Sequence, residues 1–330
     1  MRKLALSDEI LMKVDKAARY IGGEVNSVMK DKNAVDIRFA MCFPDVYEIG
    51  MSNLGMMILY NMFNQREDVW CERLFSPWPD LDKVMREQNI PLFALESQEP
   101  VRDFDFLGIT IGYEMCYTNI LQVLDLSGIP LKSADRGEDF PIVIGGGACA
   151  YNPEPLAPFF DLFYIGEGET VYDALFDAYK ANKKAGGSRR DFLLAAAKIP
   201  GIYVPSLYEV TYKEDGTIAS FAPIADDVPE KVQKQLIVDM EKEYRAVEAP
   251  VVPHIKATQD RVTLEIQRGC IRGCRFCQAG MIYRPTRERD VETLKESARI
   301  MLKNTGHEEI SLSSLSSSDY SQLPELVNFL

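Results

Sequence analysis

The sequence predicts an α/β protein in two parts: a doubly wound, mostly parallel sheet, then the first βα units of a partial (β/α) barrel. Three observations predict it. Short apolar runs alternate with helical patterns from 35 to 185, a new strand–loop–helix–strand series begins at 262, and an acidic, proline-bearing stretch separates the two. Such alternation marks βαβ units, in which a helix carries the chain back to the next parallel strand. A chain of 330 residues has room for two cores.

In chain order, strands are expected at 35–42, 92–95, 106–111, 141–144 and 162–165. Helices at 53–64, 80–88, 117–126 and 169–181 carry apolar residues three and four apart, which buries one stripe of each. Met51, Met56 and Met57 read as core in this pattern. After Gly186 and Gly187 a helix over 190–198 leads to two alternating runs around Asp215-Gly216, a pair suited to a tight hairpin turn. The first domain is expected over 1–222, closed by this hairpin. Residues 223–260 are expected to link, with one helix over 231–244. The second domain, 261–330, is expected to hold a strand at 262–266, a loop, a helix at 291–303, a strand at 309–313 and a helix from 321. A closed barrel takes on the order of 200 residues, so the C-terminal portion of this barrel is expected to be missing.

Composition narrows the function. With 46% hydrophobic and 10% aromatic residues the chain has the make-up of a folded protein. The opening residues lack the apolar run of a secretory signal, and no uncharged stretch is long enough to span a bilayer, so a cytoplasmic protein with no membrane partner is expected. Thiols stay reduced there, so the seven cysteines read as buried apolar groups, reactive thiols or metal ligands before disulfides. A net charge of −13 opposes non-specific attachment to nucleic acid, which leaves an RNA substrate without support from composition. The local exception is 268–289, where Arg268, Arg272, Arg275, Arg284, Arg287 and Arg289 face the single acid Glu288.

Within that stretch Cys270, Cys274 and Cys277 place three thiols in eight residues after a strand, with Gly269 and Gly273 where the chain must turn. Three thiolates satisfy three irons of a cubane and leave the fourth open for chemistry. A structural zinc site wants four ligands. The only histidines are His254 and His307, and Cys42, Cys71, Cys116 and Cys149 lie in the first part. The loop therefore reads as the cradle of a [4Fe-4S] cluster.

The pattern Cys-x3-Cys-x-aromatic-Cys after a first barrel strand resembles the hallmark of the radical S-adenosylmethionine (SAM) superfamily. The resemblance implies an enzyme whose open iron chelates the amino and carboxylate groups of SAM. One electron, delivered by reduced flavodoxin or ferredoxin, then splits SAM into methionine and a 5′-deoxyadenosyl radical. It also implies that Cys270, Cys274 and Cys277 are the ligands and that the backbone of Phe276 meets the adenine. Arg284 or Arg287 offers paired donors to the SAM carboxylate or an anionic substrate; the alternative for each is a solvated basic face. Ser313 and Ser314 stand where many relatives carry Gly-Gly-Glu, and either replace it as hydrogen-bonding groups or cap a loop, the reading favoured here.

In the first part, Gly145-Gly146-Gly147 after a strand and the later Gly166-Glu167-Gly168-Glu169 resemble the Rossmann-like B12-binding domain that precedes the barrel in one large radical SAM group. That implies cobalamin against Thr110, Gly145, Gly146, Gly147, Gly166 and Glu167. The departure is Asp45-Val46-Tyr47-Glu48-Ile49-Gly50, which lacks the cobalt-binding histidine of Asp-x-His-x-x-Gly. Cobalamin without a protein histidine, and a domain that has kept only substrate or partner binding, both stay open. Dinucleotide binding at 145–150 fails on context, since Pro153 and Pro155 follow where a helix should open. Glu167 and Glu169 equally suit a helix start. From Tyr47 to Leu330 the chain resembles an uncharacterised radical SAM group with a B12-binding-like domain, and after the cysteines it is also similar to tRNA methylthiotransferases. Methyl or sulfur transfer, and a non-catalytic cluster- or partner-binding module, are the alternatives that follow.

Overall fold

The computed structural model describes residues 3–244 and 246–330. An N-terminal arm with one helical turn, α1 (Asp8–Leu11), precedes strand β1 (Ile37–Phe43), the turn α2 (Tyr47–Gly50) and α3 (Leu54–Gln65). Then come β2 (Val69–Phe75), α4 (Pro79–Gln88), β3 (Phe106–Thr110), α5 (Tyr117–Leu126), β4 (Ile142–Gly146), β5 (Leu162–Tyr164), α6 (Tyr172–Lys184), α7 (Arg189–Ala196) and β6 (Ile202–Tyr203). The strands lie in the order β2-β1-β3-β4-β5-β6, parallel except for the last pair. Helices α3, α6 and α7 pack on one face and α4 and α5 on the other, so the sheet is doubly wound as the sequence predicts.

Burial on both faces explains why β1 is apolar at nearly every position. Phe39 and Phe106 stack at 5.8 Å on one face, under Phe63 and Phe176 from the helices. Met51, Met56 and Met57 belong to this core. Local chemistry fixes the helix starts: Asn53 accepts from the Met56 N–H at 2.8 Å, and Ser188 and Asp191 form a reciprocal box at α7.

Four expectations need correction. The strand is 69–75, not 92–95. Glu72 and Arg73 hid it, because both are fully buried charges that find partners inside: Arg38 for Glu72, and Glu24 and Glu96 for Arg73. Residues 92–95 are buried, but their amides turn to Leu126, Glu99 and Arg73 instead of a strand ladder. The helix of 169–181 starts later, at Tyr172, after a 3₁₀ turn at Gly168–Thr170. The hairpin forms from β7 (Tyr208–Tyr212) and β8 (Ile218–Pro223), yet as its own exposed two-stranded sheet; β6 closes the main sheet.

The fourth correction concerns 231–244, which holds no helix. Its backbone is engaged elsewhere: Gln235 pairs with Gly166 in parallel fashion, and the Ile237 carbonyl accepts from Arg287. Those bonds preclude an i to i−4 ladder while Ile237 and Met240 still bury their side chains. Residues 223–260 form a strap whose Val228, Val247, Val251 and Ala257 enter the first core.

The second unit pairs β9 (Val262–Glu265) in parallel with β12 (Ile310–Ser313), joined by α9 (Val291–Thr305) and followed by α10 (Leu323–Phe329). Asp290 caps α9 at its start and Gly306, at φ 73°, ends it. Between β9 and α9 a short antiparallel pair, β10 (Gln267–Arg268) and β11 (Arg287–Glu288), forms the neck of the cysteine loop, which carries α8 (Gln278–Ile282). The arm ties these parts together: Val25 bridges Val252, and the Asn26 side chain donates to the carbonyls of Pro250 and Asn304. Among the described residues no helix is long and apolar enough to cross a membrane.

Candidate cofactor site

A cavity of about 560 Å³ opens where the C-terminal ends of β3, β4 and β5 meet β9 and β12. That is the edge at which open α/β sheets take ligands, and the volume suits a small molecule or cofactor. Thr110, Gly146, Gly147, Gly166, Glu167, Ser313 and Ser314 line it, so residues expected from both halves of the sequence converge. Gly145 does not. A Cβ there would stand 2.6 Å from the Phe163 ring, which makes this glycine a packing requirement. At Gly146 a Cβ would meet nothing within 4 Å, leaving backbone open to the cavity. Gly166, at φ 139°, lets the Gln235 backbone approach so closely that a Cβ would sit 2.2 Å from its carbonyl oxygen.

The wall between the units is ionic. Glu167 receives Arg287 in a bidentate pair at 2.7 and 2.8 Å, accepts from the Ile237 amide at 2.9 Å and stands 3.3 Å from Arg268. Arg268 in turn reaches Glu169 at 2.6 Å and Glu265 at 2.9 Å. Burial works against the charged form of Glu167, but the Arg287 hydrogen bonds and the Arg268 charge outweigh it and hold its carboxyl below the ordinary value. Arg287 spends its remaining donors on the carbonyls of Pro285, Ile237 and Tyr283. Its guanidinium is therefore filled by protein partners, and Arg284, bonded weakly to Met281 and the Arg272 carbonyl, is the freer of the two expected arginines. Glu167 and Glu169 stand just before α6, as acids at a helix start do, and both also join this cross-unit cluster. Sequence reasoning missed Glu265, Gln267 and the role of Arg268; the signal was the alternation of acid and arginine at 265 and 268.

The loop with Cys270, Cys274 and Cys277 is rooted at Gly269 and Tyr283, both on the cavity wall. The three thiols have no disulfide partners; Cys274 is exposed and the others half-buried. The amides of Arg272 and Gly280 point at the sulfurs of Cys270 and Cys277, both at 3.4 Å. Phe276 is 92% exposed. Among the described residues no three His, Cys, Asp or Glu side chains converge at metal-binding spacing. The donor set, three free thiols on one short loop, fits an iron–sulfur cluster by its chemistry. Ser314 bonds Ser317, and Gln267 holds the Ser316 carbonyl, so the serine run is a structured turn as well as cavity wall.

The segment at the place of the cobalt-binding motif, which lacks the histidine, does other work. Tyr47 donates to Glu24, Glu48 holds Lys16 and Arg19, and Asp45 accepts from Tyr113. A histidine-ligated cobalamin does not fit here.

Two family models match the chain: the radical SAM N-terminal model over residues 55–205 and the radical SAM superfamily model over 264–330, which contains the cysteine loop. The chain belongs to the radical SAM superfamily. It is similar to the uncharacterized protein MJ0966 of Methanocaldococcus jannaschii, at 26% identity over 88% of this chain and 52% of that protein. The fold of this radical SAM chain is similar to that of the radical SAM methyltransferase TsrM from Kitasatospora setae. In the TsrM structure with cobalamin and a [4Fe-4S] cluster bound, the TM-score is 0.51 at 13% identity, over 89% of this chain and 52% of that one. A second TsrM structure, with tryptophan and a SAM analogue, aligns at TM-score 0.46 and 13% identity over 88% of this chain and 50% of that one. The chain thus spans about half the length of the relatives it matches.

Proposed function

We propose that this chain binds a [4Fe-4S] cluster through Cys270, Cys274 and Cys277 and SAM in the adjoining cavity, as part of an enzyme that starts radical chemistry. The observation that carries the reading is the rooting of a three-thiol loop at Gly269 and Tyr283, on the wall of a cavity shared by both units. When bound, cluster and SAM together supply reductive cleavage of a sulfonium bond and a carbon radical able to abstract hydrogen from a substrate. The chain's own tasks are to hold and to enclose. Glu167, Glu169 and Glu265 stand against Arg268 and Arg287, one carboxylate in excess, which favours a cationic, donor-bearing ligand over a polyanion such as RNA. Ser313 and Ser314 offer hydroxyls to it, and Arg284 offers a guanidinium to its carboxylate.

The test is anaerobic reconstitution with iron and sulfide, then dithionite and SAM, with 5′-deoxyadenosine measured. Product that is lost in Cys274→Ala supports the reading; zinc in place of iron overturns it. Gly146 favours one second reading, cobalamin-dependent methyl transfer, because its bare backbone faces the cavity beside Thr110. A corrinoid absorption spectrum after incubation with cobalamin, lost in Gly146→Leu, separates it from a cavity that takes SAM and substrate alone.

A further inference from the structure

We infer that Glu167 is a positioning residue for the cysteine loop: from the first unit it clamps the two arginines that form the loop's neck. Arg268 and Arg287 are directly opposite each other in the antiparallel β10–β11 pair. Like charges in that position repel, and here both side chains are over nine-tenths buried, where water screens little. Glu167 touches both. Glu169 and Glu265 serve Arg268 alone, so Glu167 is the carboxylate that meets Arg287 and joins the pair.

The backbone makes the same connection. The Glu167 amide donates to Gln235, and the strap then grips the returning limb of the loop, with Lys234 donating to the carbonyls of Ile282 and Arg284 at 2.7 Å each. At the neck itself the limbs nearly touch: a Cβ on Gly269 would lie 2.5 Å from the Pro285 carbonyl oxygen. A neck this tight, charged on both limbs and neutralised from the other unit, fixes where the loop leaves the barrel strand. For what the loop carries the inference rests on the proposed function; for the clamp itself it does not.

The experiment is limited trypsin digestion of the full chain, following cleavage after Arg272 and Arg275 by mass spectrometry, alongside thermal unfolding. Glu167→Gln keeps the shape and removes the charge; it should raise cleavage at these two sites on the order of tenfold, as the open loop population grows, with other sites unchanged. Glu167→Gln combined with Arg287→Gln removes the repulsion as well and should return cleavage toward wild type. Cleavage unchanged in Glu167→Gln overturns the clamp, as does a rise shared by sites across the chain that the double variant does not reverse. In the reconstituted protein, Glu167→Gln should also lose iron and alter the change in the cluster's electron paramagnetic resonance signal when SAM is added. Wild type that takes up no cluster defeats the proposed function and leaves the digestion to decide the clamp.

Discussion

Arg272, inside the cysteine loop, grips Asp319 through two hydrogen bonds, so the loop after β10 is tethered to the turn that follows β12. The Arg272 side chain is 61% exposed. An ion pair that wet adds little to global stability, but it can decide where a loop rests. Asp319→Asn should leave the unfolding midpoint in place and speed hydrogen exchange of the amides at 270–280. Exchange unchanged there would show that the tether does not order the loop.

Arg73 lies between Glu24 and Glu96, all three side chains shut off from water. Removing the cation alone leaves buried carboxylates without their counter-charge, a loss of about 3–5 kcal/mol. Arg73→Met should therefore move the urea midpoint down by that equivalent. A shift below about 1 kcal/mol would mean that water or a rearrangement reaches the site.

Adjacent glycines should respond in opposite ways. Gly145→Ala drives a methyl into the Phe163 ring and should cost about 1–3 kcal/mol. Gly146→Ala adds it to open space and should leave stability unchanged or raise it by up to about 1 kcal/mol. Equal losses from both would argue against a cavity at the end of β4.

Glu48 gives a pH signature. Burial raises its carboxyl, but hydrogen bonds from Arg19 and Lys16 outweigh that and bring it down to about 2, from an ordinary 4.5. The folded state then binds its proton less readily than the unfolded chain. The resulting stability is fully present above about 4.5 and is lost as pH falls toward 2. Urea midpoints at pH 6 and pH 3 should therefore lie closer together in Glu48→Gln than in wild type.

Much of the first sheet is legible because its strands are plain apolar runs; α5 at Tyr117–Leu126 falls where the spacing puts it. Val69–Phe75 is not, because a strand with two charges at its centre is recognisable only once Arg38, Glu24 and Glu96 are known to surround it. The strap fails for the opposite reason. Its apolar spacing is real, yet its amides and carbonyls bond Ile165, Glu167 and Arg287, partners that periodicity cannot reveal. At the candidate site the cysteines stand out by spacing alone. The Glu167–Arg287 pair joins residues 120 positions apart, and only the meeting of two units displays it.

The N-terminal arm sets an order of assembly. Asn26 leaves the ribosome early, but the carbonyls it holds belong to Pro250 and Asn304, 224 and 278 residues later. Contacts so distant in the chain close late, after local ones have formed. During synthesis the sheet can fold while the arm still lacks its partners, and the unit that carries the cysteines is seated after it.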